Sequence, residues 1–391
     1  MVAIKKKLEF YLSWTKDYGK LARLLIPTVE LEFESKLQDC QELSALDSKE
    51  DPDFTLHANS DEDIDSDSTE IYFEGPRDEE APATTRSPLV SDDWIETTTS
   101  TIPRPLFTAQ PGPRAELFSE PNSPYQIFKK FIDEDFFGNL KLETNRYARA
   151  TIDRERKKGP LNPRSHLEMW KAVSVSELKI FMAIIIHMSL VVKTRLKDYW
   201  STRSELRTTY CRDVGMIRPR FEAILSMLHL NDNASYVAFG QPGHDPLHKI
   251  WTFLDPLVHK FKTYYYPCQP LTIDEAICPF RGRIRFRIYI KGKPHKYGIK
   301  IFELCESSSG YACNIEVYTG KQPGQGADYN STLKLVERIA APYFNRGHVI
   351  YFDRWFSSTT LFQFLWRNNT QSVGTIKKNR RGLPKIHFPK N

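Results

Sequence analysis

No stretch of this sequence is apolar for long enough to cross a bilayer. The longest near-continuous apolar run, Phe181 to Val192, has twelve residues, against the roughly 20 that a spanning helix needs. It reads as a buried helix. Clean secretory features are also lacking: Lys5, Lys6 and Lys7 are followed by no apolar stretch and no small-residue cleavage site. The six cysteines, Cys40, Cys211, Cys268, Cys278, Cys305 and Cys313, form no Cys-x-x-Cys pair. In a chain of 391 residues they read as reduced thiols rather than a disulfide framework or a zinc site. Cytosol or nucleus is the expected compartment, with no membrane partner. Acidic residues are missing from the last 38 positions, after Asp353.

Charge is plentiful but unevenly placed. The net +6 conceals 23 acidic against 6 basic residues over positions 31–120, and 23 against 43 from 121 onward. An acidic segment is thus joined to a strongly basic body, and a basic body favours polyanionic partners. Residues 1–40 form a leader with some helical patterning at 8–35 and no implied chemistry. Residues 41–123 combine repeated acids, Ser/Thr and prolines with few aliphatics, too little apolar surface to offset ordering entropy. That composition predicts a disordered segment, either an idle linker or an acidic tail for a protein partner.

Compact sequence is expected from Pro124. Ile127, Phe128, Phe131 and Ile132 recur at helical spacing, and further helical patterns cover 175–192 and 219–230. Asp135, Asp153, Arg154 and Lys157 fit solvated helix faces. A helical region is therefore predicted over 124–265. From 266 the period shortens. LTIDEAI, KYGIKIFELCE and GYACNIEVYTG read as strands, Ser331 to Phe344 as a helix, HVIYFD as a strand, TTLFQFLWRN as a helix capped by Ser357 or Ser358, and QSVGTIK as a last strand. The order β-β-β-α-β-α-β over 266–391 predicts an α/β fold with a mixed sheet.

Two carboxylates stand out by position. Asp274 interrupts an apolar strand, where alternation puts it on the face of Thr272, opposite Ile273 and Glu275. Asp353 ends the apolar run Val349 to Phe352. Taken singly, each fits a strand-end cap or the partner of an arginine. On neighbouring central strands they would instead hold Mg²⁺, a hard cation bound through carboxylates and substrate phosphates. The basic residues suit such a substrate. Arg281, Arg283, Arg285 and Arg287 alternate, so a strand would project all four from one face about 6.6–6.8 Å apart. Lys291, Lys293, Lys296 and Lys300 follow with no acid between. Phosphate contacts of this kind give affinity without sequence readout; the other reading is a solvated strand face. Lys377, Lys378, Arg380 and Arg381 suit phosphate binding or nuclear import.

The segments LTIDEAICPFRGRIRFRIYIKGKPHKYGIKIFELCESSSGYACNIEVYTGK, HVIYFDRWFSSTTLFQFL and GTIKKNRRGLP, with LETNRYA and RFEAILSMLHLNDN upstream, resemble the piggyBac transposases and the host proteins derived from them. The resemblance spans roughly residues 124–391. It implies an RNase H-like core, preceded here by the helical region, in which three aspartates bind two divalent metals, Mg²⁺ or Mn²⁺, for cutting and rejoining double-stranded DNA at TTAA sites. Asp274 and Asp353 match the first two. Arg354 stands where the family has Asn, and a guanidinium there competes for the carboxylate unless it points away. The family's third aspartate lies well downstream of the second, and the core is expected to stop short of it, as of the inserted subdomain and the Cys-rich end. The resemblance therefore implies a nuclear, DNA-binding, transposase-like protein with an incomplete catalytic triad, and leaves a homodimer open. The other readings are a domesticated chromatin-associated protein and a truncated gene model of an active transposase.

Overall fold

The computed structural model describes residues 104–118, 122–280, 282, 284–290, 297–320, 329, 331–377, 380, 382 and 383. The leader over 1–40 and the acidic segment up to 103 lie outside the described residues. The chain divides into two compact units. No helix among the described residues is long and apolar enough to cross a membrane.

The first unit is helical. Its helices are α1 (Pro124–Phe131), α2 (Glu134–Arg156), α3 (Val175–Leu190) and α4 (Arg218–Met227). Local chemistry sets where they begin. Ser123 and Gln126 form a reciprocal capping box at the start of α1, Ser174 and Glu177 do the same for α3, and Asp133 caps α2. Each cap satisfies backbone N–H groups that have no partner within the helix. α3 contains the apolar run and is buried along most of its length, through Leu178, Phe181, Ile184, Ile185 and Met188, as expected for a helix apolar on all sides. Phe221, Ile224 and Leu225 of α4 and Phe137 and Leu140 of α2 complete that core.

The LETNRYA and HLND segments meet in this unit. Asn145 brackets the backbone of Val173, donating to its carbonyl at 3.0 Å and accepting its N–H at 2.8 Å. Thr144 reaches the backbone of His229, Tyr147 stacks on the His229 ring at 3.7 Å, and Arg146 pairs with Asp232 at 2.8 Å. A helix α5 (Trp251–Tyr264) follows.

The second unit is built on a mixed sheet. Its strands are β3 (Pro270–Pro279), β4 (Arg287–Tyr289), β5 (Tyr297–Glu306), β6 (Ala312–Val317), β7 (Val349–Phe352) and β8 (Gln371–Gly374), ordered β4-β5-β3-β7-β8 with β6 also on β5. β3 pairs with β7 and β7 with β8 in parallel; β5 pairs with β4 and β6 antiparallel. Helices α6 (Thr332–Ala340) and α7 (Thr359–Arg367) cover one face. There Leu271, Ile273, Ile350 and Phe352 pack with Leu335, Val336, Ile339, Leu361 and Leu365. Ser358, not Ser357, caps α7, its hydroxyl accepting from Leu361 N–H. The buried Ser357 hydroxyl donates to the Asp353 carbonyl at 2.9 Å.

Two expectations are corrected here. The Arg281–Ile288 stretch is not one strand: Arg285 and Phe286 lie in a turn and β4 begins at Arg287. Arg287 pairs with Ile299, so Arg285 would need Ile301, which is already paired with Val317 of β6. The second correction concerns residues 104–118, expected to lie in the disordered segment. They form a strap along the second unit, with strand β1 (Gly112–Pro113) antiparallel to β2 (Tyr265–Tyr266). Thr108 N–H donates to Arg346 O at 3.1 Å, and Arg114 N–H to Tyr264 O at 2.9 Å. Pro105, Pro111 and Pro113 already restrict this chain to extended backbone, so docking it costs less entropy than composition suggests.

Candidate metal centre and nucleic-acid interface

The parallel register places the two aspartates. Ile273 of β3 stands opposite Phe352 of β7, so Asp274 and Asp353 occupy the next position along two adjacent central strands, which run about 4.7–4.9 Å apart. Ile273 and Phe352 point into the helix-covered core. By alternation Asp274 and Asp353 share the opposite face with Thr272 and Tyr351, and both carboxylates are exposed.

Neither carboxylate is neutralised by a neighbouring cation among the described residues. Asp274 Oδ1 accepts the Glu275 N–H at 2.8 Å. Asp353 Oδ1 accepts the N–H groups of Trp355 at 2.9 Å and Phe356 at 3.2 Å, the geometry of an Asx-type turn. Asp353 is therefore a strand-end cap, as one reading allowed, and neither aspartate partners an arginine among the described residues. Arg354 is exposed and makes no ion pair with Asp353. Each aspartate keeps its Oδ2 without a partner among the described residues. Two hard oxygen donors side by side fit Mg²⁺ or Mn²⁺, although no third His, Cys, Asp or Glu joins them among the described residues. Nearby, burial, with Glu303 and Asp274 adding negative charge, pushes the Cys305 thiol up to about 12. It is a neutral thiol and an unsuitable ligand. The five described cysteines are all free.

The described basic candidates differ in exposure. Arg285 is exposed; Arg287 is half-buried, its guanidinium 5.2 Å from the ring of Tyr297. Lys377 is exposed, while Arg380 donates to the Trp355 carbonyl at 3.2 Å. Lys300, expected as a phosphate contact, is only 2% exposed. Its position on β5 puts it on the core face with Phe302 and Leu304, so it cannot reach a phosphate. Arg281, Arg283, Lys291, Lys293, Lys296, Lys378 and Arg381 lie outside the described residues. Sequence reading missed the Ser357–Asp353–Trp355 turn. The Asp-x-aromatic-aromatic-Ser spacing after a strand is the signal that points to it.

Two carboxylates side by side on adjacent parallel strands of a mixed sheet, backed by helices on the other face, define an RNase H-like core. The family model described as Transposase IS4 matches residues 123–391, and the chain belongs to this piggyBac-type transposase family. It is 27% identical over 286 residues to piggyBac transposable element-derived protein 3 of Homo sapiens, covering 71% of this chain and 43% of that protein. It is 26% identical over 299 residues to piggyBac transposable element-derived protein 2 of Homo sapiens, covering 73% and 45%. Among solved structures, a piggyBac transposase synaptic complex with hairpin DNA is similar with a TM-score of 0.58 and 26% identity, over 71% of this chain and 55% of that one. The chain thus spans less than half the length of the curated relatives it matches.

Proposed function

We propose that this chain is a DNA-binding, transposase-like protein in which Asp274 and Asp353 together hold a divalent metal, and that these 391 residues by themselves neither cut nor join DNA. The register carries the reading: two exposed carboxylates stand side by side one step beyond Ile273 and Phe352, each with one oxygen held by backbone and the other without a partner among the described residues. When bound there, a divalent metal polarises a phosphodiester and activates the attacking oxygen. The chain's own part is to fix the carboxylates: Trp355 and Phe356 N–H groups hold Asp353, and the Glu275 N–H holds Asp274. Two carboxylates locate a metal less firmly than three, and a misplacement of about 1 Å costs about a hundredfold in rate.

The similar solved transposase is in a synaptic complex with hairpin DNA, which supports double-stranded DNA as the partner, with Arg285 and Lys377 as exposed contacts. The proposal includes a nuclear location, with Lys377–Arg381 serving import. The human relatives are named as derived from transposable elements, which favours a second reading, a host DNA-binding protein that has kept the fold.

Fluorescence anisotropy with the purified protein and duplex DNA tests the binding half. Affinity should fall at least about tenfold between about 50 and 200 mM salt, and fall further when Arg285 and Lys377 are changed to Glu. Salt-independent or absent binding would count against it. Incubation with Mg²⁺ or Mn²⁺ should yield no nicked product. Robust cleavage lost on Asp274→Ala would overturn the inactive half.

A further inference from the structure

Strand β7 has parallel neighbours on both sides, β3 and β8, and a strand so placed is ordinarily covered on both faces. One face follows that rule, with Ile350 and Phe352 in the helix-covered core. The other does not. Tyr351 is 41% exposed, and Val373, its partner in register on β8, is 49% exposed. The Tyr351 side chain makes no hydrogen bond and no ring contact among the described residues. Other tyrosines of the same unit are engaged: the hydroxyls of Tyr265, Tyr311 and Tyr343 donate to the Glu306 carboxylate and to the carbonyls of Phe261 and Cys313.

The register fixes what lies beside this ring. Thr272, Tyr351 and Val373 form one row across β3, β7 and β8. Asp274 and Asp353 form the next row on the same face, about 6.6–6.8 Å further along the strands. An exposed aromatic side chain standing alone is common and signals nothing; one that adjoins a pair of exposed carboxylates has a defined neighbour. One ring and one isopropyl group fall well short of the ~300–600 Å² apolar patch found on a typical monomer, so a protein surface is a poor match. A single planar ring is a good one. A phosphate held at the two carboxylates through a metal brings its own nucleoside within reach of Tyr351, and bases stack on exposed aromatic rings whatever their sequence.

We propose that Tyr351 is a stacking platform for one unpaired nucleobase of a DNA strand whose adjoining phosphate lies at the Asp274–Asp353 centre. The base must be unpaired, because inside a duplex it is already stacked and paired and has to be extruded before a side chain can take its face. This deepens the function proposed above and rests on it for the phosphate and the metal. Without a metal the two carboxylates repel a phosphate, so stacking on Tyr351 requires the cation. The chain should therefore prefer DNA containing an unpaired nucleotide over the same duplex fully paired.

The test uses the full chain and two short duplexes, alike except that a central 2-aminopurine is paired in one and an unpaired bulge in the other. Fluorescence of 2-aminopurine reports stacking by quenching, and anisotropy gives the affinity. Tyr351→Thr and Tyr351→Val both keep a strand-forming residue at an exposed position and lose the ring; Tyr351→Phe keeps the ring. With Mg²⁺ present, wild-type protein and Tyr351→Phe should quench the bulged base. Tyr351→Thr and Tyr351→Val should not, and should bind the bulged duplex about tenfold more weakly, while all four bind the paired duplex alike. Wild-type quenching and affinity in a ring-less variant overturn the platform; if binding then still needs Mg²⁺ and is lost in Asp353→Asn, the function proposed above survives. Equal losses on both duplexes also overturn it, since the ring would then serve DNA in general. Quenching that depends on Tyr351 but on neither Mg²⁺ nor Asp353 keeps the platform and sinks the metal reading. A wild-type protein that binds neither duplex overturns both.

Discussion

Replacing Gly347 by Ala should detach the strap from the sheet. Gly347 has φ +78°, and a Cβ added there would lie 2.2 Å from the carbonyl oxygen of Leu106 and 2.4 Å from its carbon. Backbone atoms cannot yield as a flexible side chain would, so the strap must move. The left-handed backbone itself costs an L-residue about 1–2 kcal/mol. Displacement also removes the Thr108–Arg346 hydrogen bond and the edge contact of Phe107 with His348, 5.0 Å between ring centroids; the ring contact alone contributes about 0.5–1.5 kcal/mol. The two together, about 1.5–3.5 kcal/mol, correspond to a fall in Tm of about 3–14 °C for a unit of this size. Limited proteolysis should cut within 104–118 much faster in the variant, and a thermal melt should show the shift. A variant that melts with wild-type protein and keeps the strap protected would refute the close approach of Leu106 to Gly347, and with it the docking of the strap.

Other consequences follow from the same geometry. Asp353→Asn should keep the turn, because an amide oxygen can accept from Trp355 and Phe356 N–H groups, whereas Asp353→Ala should lower stability by about 0.5–2 kcal/mol, as loss of a cap does; equal melts for the two variants would contradict this. Ser358→Ala should cost a similar amount by uncapping α7, measured by urea unfolding. His348 is wholly buried among Phe107, Tyr266 and Tyr343, and burial holds its imidazole below the ordinary 6.5. The unfolded chain therefore takes up a proton first on acidification, so this group's contribution is complete above 6.5 and is lost as pH falls from there toward the folded value. His348→Gln should flatten that part of the stability–pH curve, and an unchanged curve would rule His348 out.

The apolar content of LTIDEAI, KYGIKIFELCE and HVIYFD was sufficient to mark β3, β5 and β7: β3 begins with burial alternating toward the helix-covered core, β7 is short and mostly apolar, and β5 is buried continuously from Gly298 to Phe302. The apolar run at 181–192 marked α3 for the same reason. What alternation could not supply was which strands lie side by side. β3 and β7 are separated in sequence by β4, β5, β6 and α6, and only their pairing brings Asp274 beside Asp353. The arginine stripe misled because local alternation says nothing of competition for an edge: Val317 already occupies the partner that Arg285 would need. Lys300 misled in a related way, since charge suggests solvent, while its register on β5 turns it inward onto Phe302 and Trp355. The strap was illegible because its order comes from a sheet edge and from proline-restricted backbone, neither of which leaves an apolar period.

The most direct test of the paired-carboxylate reading is a double-mutant cycle on Mn²⁺ binding, read by electron paramagnetic resonance, with Asp274→Asn, Asp353→Asn and both together. If the two aspartates share one ion, each single variant should lose most of the affinity and the double variant should be little worse than either, a strongly non-additive result. Wild-type affinity in either single variant, or fully additive losses, would contradict a shared site.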